Sequence, residues 1–214
     1  MASLYFYYGA MGSSKTANAL MARYNYLEKG QKVLLLRPAI DTRFGSDVVK
    51  SRIGLSEKCV LVEDFLKGFH AHYPNFKQDI LSNKTEAYKK FDYAAIIVDE
   101  AQFMTEEQVE FLSDIVDFLN IPVLCYGLRI DFQNHLFPGS AKLLAIADKI
   151  QEIKTVCWCG KKAICNARYN ENGIVREGNQ IEIGENDRYV SLCRKHFKLG
   201  QIEDPKGDAG TFEK

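Results

Sequence analysis

Three groups of residues in this sequence have the types and spacing that chemistry requires. They are a lysine–threonine pair that ends a small-residue stretch, two adjacent carboxylates that end an apolar run, and four soft metal ligands in two close pairs: Lys15 and Thr16; Asp99 and Glu100; Cys157 and Cys159 with Cys193 and His196. The first group favours anion binding, the second metal binding and proton transfer, and the third zinc binding.

The stretch Gly9-Ala-Met-Gly-Ser-Ser-Lys-Thr16 is typical of a phosphate-binding loop. It follows the apolar run Leu4–Tyr8 and leads into a helical pattern, so backbone N–H groups and a helix N-terminus would converge on one anion. Lys15 would add charge and Thr16 a magnesium ligand. The usual pattern has glycine where this chain has Ser14, and serine fits only with ordinary dihedral angles or a tolerated side chain. The alternative is a small-residue turn with a solvated lysine.

The run Ala94–Val98 followed by Asp99 and Glu100 is typical of a buried strand that ends at a metal site. Acids at the carboxyl end of a parallel strand emerge where such sheets bind their ligands. We predict that Asp99 holds Mg²⁺ opposite Thr16. Glu100 is predicted to face the other way, because neighbouring strand residues alternate, and to act as the base. The alternative, that both acids cap the next helix, is weaker because Thr105 already supplies a cap.

Cys157, Cys159, Cys193 and His196 have the spacing of a tetrahedral zinc site in a region of short strands and turns. Four protein ligands leave no open position, so the predicted site is structural. A region this small needs more than apolar burial to stay folded, and metal binding would supply the difference. A disulfide or unrelated buried cysteines remain the alternatives. The remaining cysteines, Cys59, Cys125 and Cys165, are interpreted as packing residues.

Composition favours a compact cytoplasmic enzyme over a nucleic-acid-binding or membrane protein. The chain has 214 residues, and 28 Lys and Arg balance 28 Asp and Glu. No apolar run is long enough to span a membrane, and the N-terminus lacks the basic and apolar regions of a signal peptide. One core and a small appendage are therefore expected.

The hydrophobic pattern predicts an α/β fold, a P-loop NTPase-like parallel sheet flanked by helices, because strands and helices alternate. The expected domains are 1–153 for nucleotide binding, 154–200 for zinc binding, and a disordered tail at 201–214. Predicted strands are Leu4–Tyr8, Val33–Leu36, Cys59–Val62, Ala94–Val98, Pro122–Tyr126 and Lys149–Val156. Predicted helices are Lys15–Glu28, Glu63–His70, Thr105–Asn120 and Ala141–Ala147. Pro38–Lys58 is interpreted as a mobile loop, and Pro74–Lys90 as a weakly patterned surface helix.

These residues together resemble the zinc-containing, type II thymidine kinase family in its bacterial form. The resemblance extends to about Leu199 and is carried by a set of local motifs: Gly9–Thr16, Asp41–Arg43, Asp99–Phe103, Tyr126–Phe132, Phe137–Ser140, Cys157–Gly160 and Arg188–His196. It implies ATP-dependent phosphorylation of the 5′-hydroxyl of thymidine or deoxyuridine for pyrimidine salvage. It also implies a homotetramer that dTTP inhibits, and a small zinc-binding lasso domain at the C-terminal end.

The resemblance also assigns residues to roles. Glu100 matches the general base. The residues matching ATP and phosphate contacts are Gly9, Ala10, Met11, Gly12, Ser13, Ser14, Lys15, Thr16, Arg43, Asp99, Glu100, Ala101 and Gln102. Those matching the thymidine site are Met11, Phe103, Leu128, Phe132, Phe137 and Tyr189, with lasso residues Asn166, Gln180, Ile181, Glu182 and Ile183. Without the resemblance, the aromatic residues would be interpreted as ordinary core.

Two other functions fit parts of the pattern. A P-loop ATPase or binding module whose zinc ribbon contacts a partner would share the loop and the metal site, but the small domain is not markedly basic. A deoxynucleoside kinase of another specificity is closer, because the sequence does not exclude deoxyuridine or its analogues.

Overall fold

A computed structural model gives the fold, and it describes residues 1–39, 47–180 and 188–203. Thirteen strands and six α-helices are found in that part of the chain. The strands are β1 Leu4–Tyr8, β2 Val33–Arg37, β3 Val48–Lys50, β4 Ser56–Lys58, β5 Val60–Leu61, β6 Ala95–Val98, β7 Val123–Gly127, β8 Lys149–Glu152, β9 Thr155–Val156, β10 Lys162–Ala163, β11 Cys165–Asn170, β12 Gly173–Ile174 and β13 Arg188–Leu192. The helices are α1 Lys15–Leu27, α2 Val62–His72, α3 Phe76–Leu81, α4 Glu106–Leu119, α5 Pro138–Ile146 and α6 Arg194–Leu199, with 3₁₀ turns at Glu86–Lys90 and Ala101–Phe103.

Six strands form one parallel sheet in the order β5-β2-β6-β7-β1-β8, which confirms the predicted α/β class. The register pairs Leu4 with Val123 and Ile97 with Leu124. The central strands are apolar on both faces because helices cover both sides, as in other parallel sheets. No described helix is long and apolar enough to cross a membrane.

The two faces of this sheet pack against different helices. Leu20 of α1 packs with Leu35, Ile97 and Leu124 on one face. On the other face, side chains from α2, α4 and α5 pack with those of β1, β2, β6 and β7, with Leu112 and Ile115 of α4 fully buried. Alternating side-chain directions along each strand produce this division. Both cores hold the sheet rigid, so that the loops at its carboxyl edge are set in fixed positions.

The C-terminal region forms small antiparallel sheets, β9 with β10, and β11 between β12 and β13. Their shared core is made of small and medium residues: Cys157, Ala163, Cys165, Ala167, Leu192, Cys193 and Phe197. Residues 171 and 172 form the turn between β11 and β12, and Gly173, the first residue of β12, has a positive φ of 105°.

Two element predictions are wrong in part. Within Pro38–Lys58, the described residues form the hairpin β3–β4 with Val49 buried, while residues 40–46 lie outside the described part. The strand predicted at Lys149–Val156 ends at Glu152, and Thr155–Val156 pairs with β10 instead. Such short strands bury too few residues to show a period.

The segment Pro74–Lys90 also differs from its prediction. It contains α3 and a 3₁₀ turn, and it is not a surface helix, because Phe76, Ile80 and Tyr88 are buried in the main core. Phe76 packs edge-on against Phe69 at 5.0 Å between ring centroids. Three widely spaced buried residues in a polar segment do not produce a helical stripe, so the hydrophobic pattern did not indicate that this segment is partly buried.

Candidate active site

The phosphate loop and the two carboxylates meet at the carboxyl edge of the parallel sheet. Gly9 follows β1, Asp99 follows β6, and β7 lies between these strands. The Gly9 N–H donates to the carbonyl of Gly127, the last residue of β7, at 3.3 Å. The sequence prediction that these motifs share one edge is therefore confirmed by the strand order.

Lys15 begins α1 and turns back over its own loop. Its Nζ donates to the Ala10 carbonyl at 2.9 Å and lies 3.4 Å from the Ser13 hydroxyl. Burial lowers the pKa of Lys15, while the charges of Glu100 and Asp99 oppose that shift. The lysine thus lies near enough to both carboxylates for their charges to interact with its own.

Ser14 adopts the left-handed conformation, with φ 60° and ψ 26°, immediately before α1. Serine was expected to fit here either with ordinary dihedral angles or with a side chain that the loop tolerates. The left-handed angles exclude the first of these two possibilities. The second applies, because the Ser14 side chain is exposed and adds no clash. The loop therefore keeps the glycine-like backbone shape at this position with a strained residue.

Asp99 is buried at the end of β6, where the Thr16 hydroxyl donates a hydrogen bond to its carboxylate. Its N–H donates to the Leu36 carbonyl at 2.9 Å, which fixes the residue against β2. Burial, followed by the nearby charge of Glu100, raises the pKa of Asp99. A buried carboxylate that touches a hydroxyl oxygen is a donor set suited to Mg²⁺, so Asp99 and Thr16 fit the predicted metal.

Glu100 has a left-handed backbone, with φ 52° and ψ 37°. Strand alternation was expected to set the direction of the Glu100 side chain. That expectation is wrong, because β6 ends at Val98 and the chain has already turned at Glu100. The side-chain amide of Gln102 donates to Glu100 Oε2 at 2.5 Å. Strained backbone angles gather at functional sites because the surrounding structure must enforce them.

Gln102 is fully buried and joins the carboxylate to the next loop. Its Oε1 accepts the N–H of Leu128 at 2.9 Å while its Nε2 holds Glu100. A Cβ on Gly127 would lie 2.7 Å from that same Oε1, so only glycine fits beside it. The resemblance placed Gln102 among the ATP contacts, whereas its side chain here orients Glu100. Ala101 is likewise fully buried.

The segment that follows β7 contributes most of the predicted base pocket. Leu128, Phe132 and Phe137 are buried, and Phe103 packs edge-on against Phe137 at 5.6 Å between centroids. The Ser140 hydroxyl donates to the Leu128 carbonyl at 2.5 Å, and the guanidinium of Arg168 lies 3.9 Å from the Phe132 ring centroid. These contacts attach the segment to α5 and to strand β11.

The C-terminal region contacts this segment through polar side chains. Asn166, which is buried, accepts the Met11 N–H at 2.8 Å and donates to the Ile130 carbonyl at 2.9 Å. The amide of Gln180 donates to Asp131 Oδ2 at 2.9 Å. Tyr189 lies opposite Arg168 in the β11–β13 pair. Arg43, Ile181, Glu182 and Ile183 lie outside the described residues, as does the tail beyond residue 203.

The four predicted metal ligands come together. One ligand atom from each of Cys157, Cys159, Cys193 and His196 lies within 4.8 Å of the other three. Cys157 Sγ is 3.4 Å from His196 Nδ1, and the Sγ atoms of Cys159 and Cys193 are 4.0 Å apart. Ligand atoms about 2.3 Å from a tetrahedral zinc have similar separations, so the cluster fits zinc. The Trp158 ring stacks on His196 at 4.1 Å.

Sequence reasoning missed Ser191, whose hydroxyl donates to the carbonyl of Met11 in the phosphate loop. The available signal was its place in β13, two residues before Cys193 and on the same face of the strand as Tyr189. A single serine in a strand carries no further signal, because its acceptor is 180 residues away in the sequence.

Taken together, the sheet, the loop and the carboxylates define a P-loop nucleotide-binding protein with an attached metal-ligand cluster. Similarity to known proteins narrows this class. The family model described as thymidine kinase matches residues 2–197. The chain belongs to the thymidine kinase family, and it is an enzyme of that family.

Individual relatives agree with this membership. A thymidine kinase of Mannheimia succiniciproducens is 48% identical over 92% of this chain and 96% of its own length. One from Legionella pneumophila is 48% identical over 95% and 92%, and one from Haemophilus influenzae is 46% identical over 94% and 100%. Among solved structures, a replication initiator DnaA bound to AMPPCP and single-stranded DNA is 14% identical, with a TM-score of 0.42 over 72% of this chain and 41% of that chain.

Proposed function

We propose that this enzyme transfers the γ-phosphoryl group of ATP to the 5′-hydroxyl of thymidine, with deoxyuridine as a second substrate. The observation that carries the proposal is that Lys15 lies near enough to Glu100 for the two charges to interact, at the sheet edge where the buried residues Leu128, Phe132 and Phe137 follow β7. The names of the relatives, thymidine kinases over nearly the whole chain, supply the nucleoside.

Glu100 acts as the general base in this proposal. Its carboxylate accepts the proton of the 5′-hydroxyl as that oxygen attacks the γ-phosphorus and the bond to the β-phosphate oxygen breaks. Gln102 supports this role, because it holds Oε2 at 2.5 Å and is itself fixed to the Leu128 N–H. A base held in this way needs little rearrangement before it accepts the proton.

The phosphate groups of ATP bind to the loop Gly9–Thr16. Lys15 neutralises charge on the transferred group, and the small residues expose backbone N–H groups to it. Asp99 and Thr16 would hold a Mg²⁺, which supplies positive charge to the phosphate oxygens when it is bound. Burial of Lys15 strengthens its attraction for the bound anion, and burial of Asp99 strengthens its attraction for the Mg²⁺.

The pyrimidine lies in the pocket formed by Leu128, Phe132 and Phe137 with Met11, Phe103 and Tyr189. Flat aromatic surfaces favour a planar base, and main-chain groups of the small domain near Asn166 and Gln180–Ile183 bond to its edge. Arg43 approaches the phosphates. A homotetramer, inhibition by dTTP and a cytoplasmic location complete the proposal, and they rest on the family alone.

A nucleoside panel tests the proposal directly. Purified enzyme with ATP and Mg²⁺ is expected to convert thymidine and deoxyuridine to monophosphates, and to leave deoxycytidine and deoxyadenosine unchanged. ATP hydrolysis that needs no nucleoside would contradict the proposal and favour the ATPase or binding-module alternative. Chromatography of the products separates the two outcomes.

Glu100→Gln tests the base. We expect kcat to fall by about 10²- to 10⁴-fold, the usual contribution of a general base, with ATP affinity kept within a few-fold. Glu106→Gln is the matched control, because Glu106 is an exposed glutamate at the start of α4. Full turnover by Glu100→Gln would remove Glu100 from the mechanism.

A further inference from the structure

The middle of the phosphate loop is held by side chains of the small domain. The Met11 N–H donates to Asn166 Oδ1 at 2.8 Å, and the Met11 carbonyl accepts the Ser191 hydroxyl. Asn166 and Ser191 lie directly opposite each other in the antiparallel pair β11–β13. One cross-strand pair therefore takes both backbone groups of a single loop residue.

The hydrogen bond that the Met11 N–H donates to Asn166 fixes the peptide plane between Ala10 and Met11. In a trans peptide the N–H and the C=O point in opposite directions, so an N–H aimed at Asn166 turns the Ala10 carbonyl toward the other side. That carbonyl accepts Lys15 Nζ at 2.9 Å and the Ser13 N–H at 3.3 Å. The orientation of this plane thus sets where the lysine head group lies.

The bond from Ser191 fixes the next plane, between Met11 and Gly12. Because the Met11 carbonyl points at Ser191, the Gly12 N–H points away from the small domain. Gly12 has a positive φ of 72°, which gives this plane a freedom that other residues lack. Gly12 has no Cβ to limit its dihedral angles, so the hydrogen bond that the Met11 carbonyl accepts is what restricts this plane.

Burial makes the arrangement firm. Asn166 is 2% exposed, and its amide also donates to the Ile130 carbonyl at 2.9 Å, so its side chain has one orientation available. Neighbouring side chains of β11 and β13, including Ala167 and Leu192, are fully buried in the small core. The strand pair is thus a well-packed support for the glycine-containing loop.

We propose that Ser191 and Asn166 are positioning residues for the phosphate loop: they hold the two peptide planes beside Met11, and through them Lys15, in the orientation that receives a triphosphate. The proposal rests on the proposed function only in taking ATP as the ligand. It assigns to the small domain a role in nucleotide binding, in addition to the nucleoside contacts that the resemblance implies.

Ser191→Val and Ser191→Thr form the decisive pair, because both side chains are β-branched, suit a strand and differ at the hydroxyl. We expect Ser191→Val to weaken binding of a non-hydrolysable ATP analogue with Mg²⁺ by about five- to tenfold, the loss of one net hydrogen bond. Ser191→Thr should bind as the unaltered enzyme does. Isothermal titration calorimetry measures both.

Steady-state kinetics provide the second measurement. In Ser191→Val the KM for ATP is expected to rise while the KM for thymidine changes less than twofold, a division that general unfolding would not produce. Ser113→Ala is the control, because the Ser113 hydroxyl also donates to a backbone carbonyl, that of Glu110 at 2.7 Å, within α4. It should leave both constants unchanged.

Equal ATP affinity in the valine and threonine variants would overturn the proposal, and so would an equal loss of affinity for both substrates. The result is separable from the proposed function. If the unaltered enzyme binds the ATP analogue in a Ser191-dependent manner yet phosphorylates no thymidine, the proposed function fails and the positioning role stands.

Discussion

Ser14 and Glu100 hold left-handed backbone angles at the two sides of the candidate site. Each costs about 1–2 kcal/mol relative to an ordinary conformation, because the Cβ approaches backbone oxygen atoms. The left-handed angles at Ser14 give the phosphate loop its shape. Those at Glu100 turn its carboxylate away from the direction of strand β6. Neither angle is visible in a sequence, since serine and glutamate have no special preference for it.

Ser14→Gly should raise the free energy of unfolding by about 1 kcal/mol, because glycine adopts a φ of 60° without a clash. Urea denaturation measures the change. Ser82→Gly is the control, since Ser82 has a φ of −95° and glycine there only adds entropy to the unfolded chain. A Ser14→Gly variant no more stable than Ser82→Gly would contradict the strain.

We expect Asp99 to make the stability of the ligand-free enzyme depend on pH. Burial and Glu100 raise its pKa above the unfolded value of about 3.9, so the folded state binds the proton more tightly. Its contribution to stability is therefore lost as pH rises from the unfolded pKa through the folded one.

Asp99→Asn should reduce that loss, because asparagine has the same shape and does not ionise. We expect the variant without ligand to denature with a smaller decrease in stability across this pH range. Asp92→Asn, at an exposed position, should keep the slope of the unaltered enzyme. An unchanged slope in Asp99→Asn would show that Asp99 does not carry the effect.

At the scale of elements, strong local signals were predictable and short elements were not. Helix α4 begins at its predicted cap, where Thr105 and Gln108 form a reciprocal capping box. Val109, Leu112 and Ile115, which are three residues apart, are fully buried on one face of this helix. The hairpin β3–β4 was missed because its strands have three residues each and Val49 is the one buried residue among them, which leaves no alternating pattern.

The small sheets β9–β10 and β11–β13 are elements that need support beyond burial, since two- and three-stranded sheets with so small a core are marginally stable alone. We expect one zinc per chain, held by the cysteine and histidine cluster. Cys157→Ser should lose the metal and speed hydrogen exchange in β11 and β13, because one ligand is lost.

Elemental analysis and hydrogen-exchange mass spectrometry measure these two effects. Cys59→Ser is the matched control, since Cys59 lies beside β5 and outside the cluster, and it should keep its zinc. An unaltered enzyme purified without any bound metal would contradict the zinc assignment.

At the scale of the whole molecule, the sequence predicted which motifs share an edge but not how the C-terminal strands contact the phosphate loop. Apolar runs and their terminal acids indicate parallel strands, so Lys15, Asp99 and Glu100 could be brought together by reasoning alone. The contacts of Asn166 and Ser191 with Met11 join residues 155 and 180 positions apart. Single side-chain-to-backbone bonds of that range have no periodicity or composition to reveal them.

Because Trp158 stacks on His196, the fluorescence of Trp158 reports on the metal-ligand cluster. Trp158 is the sole tryptophan of the chain, and its indole Nε1 also donates to the Gln201 carbonyl at 3.2 Å. Its fluorescence therefore originates from one place, against an imidazole in the metal-ligand cluster. Emission spectra can follow that corner of the enzyme during titrations without any attached dye.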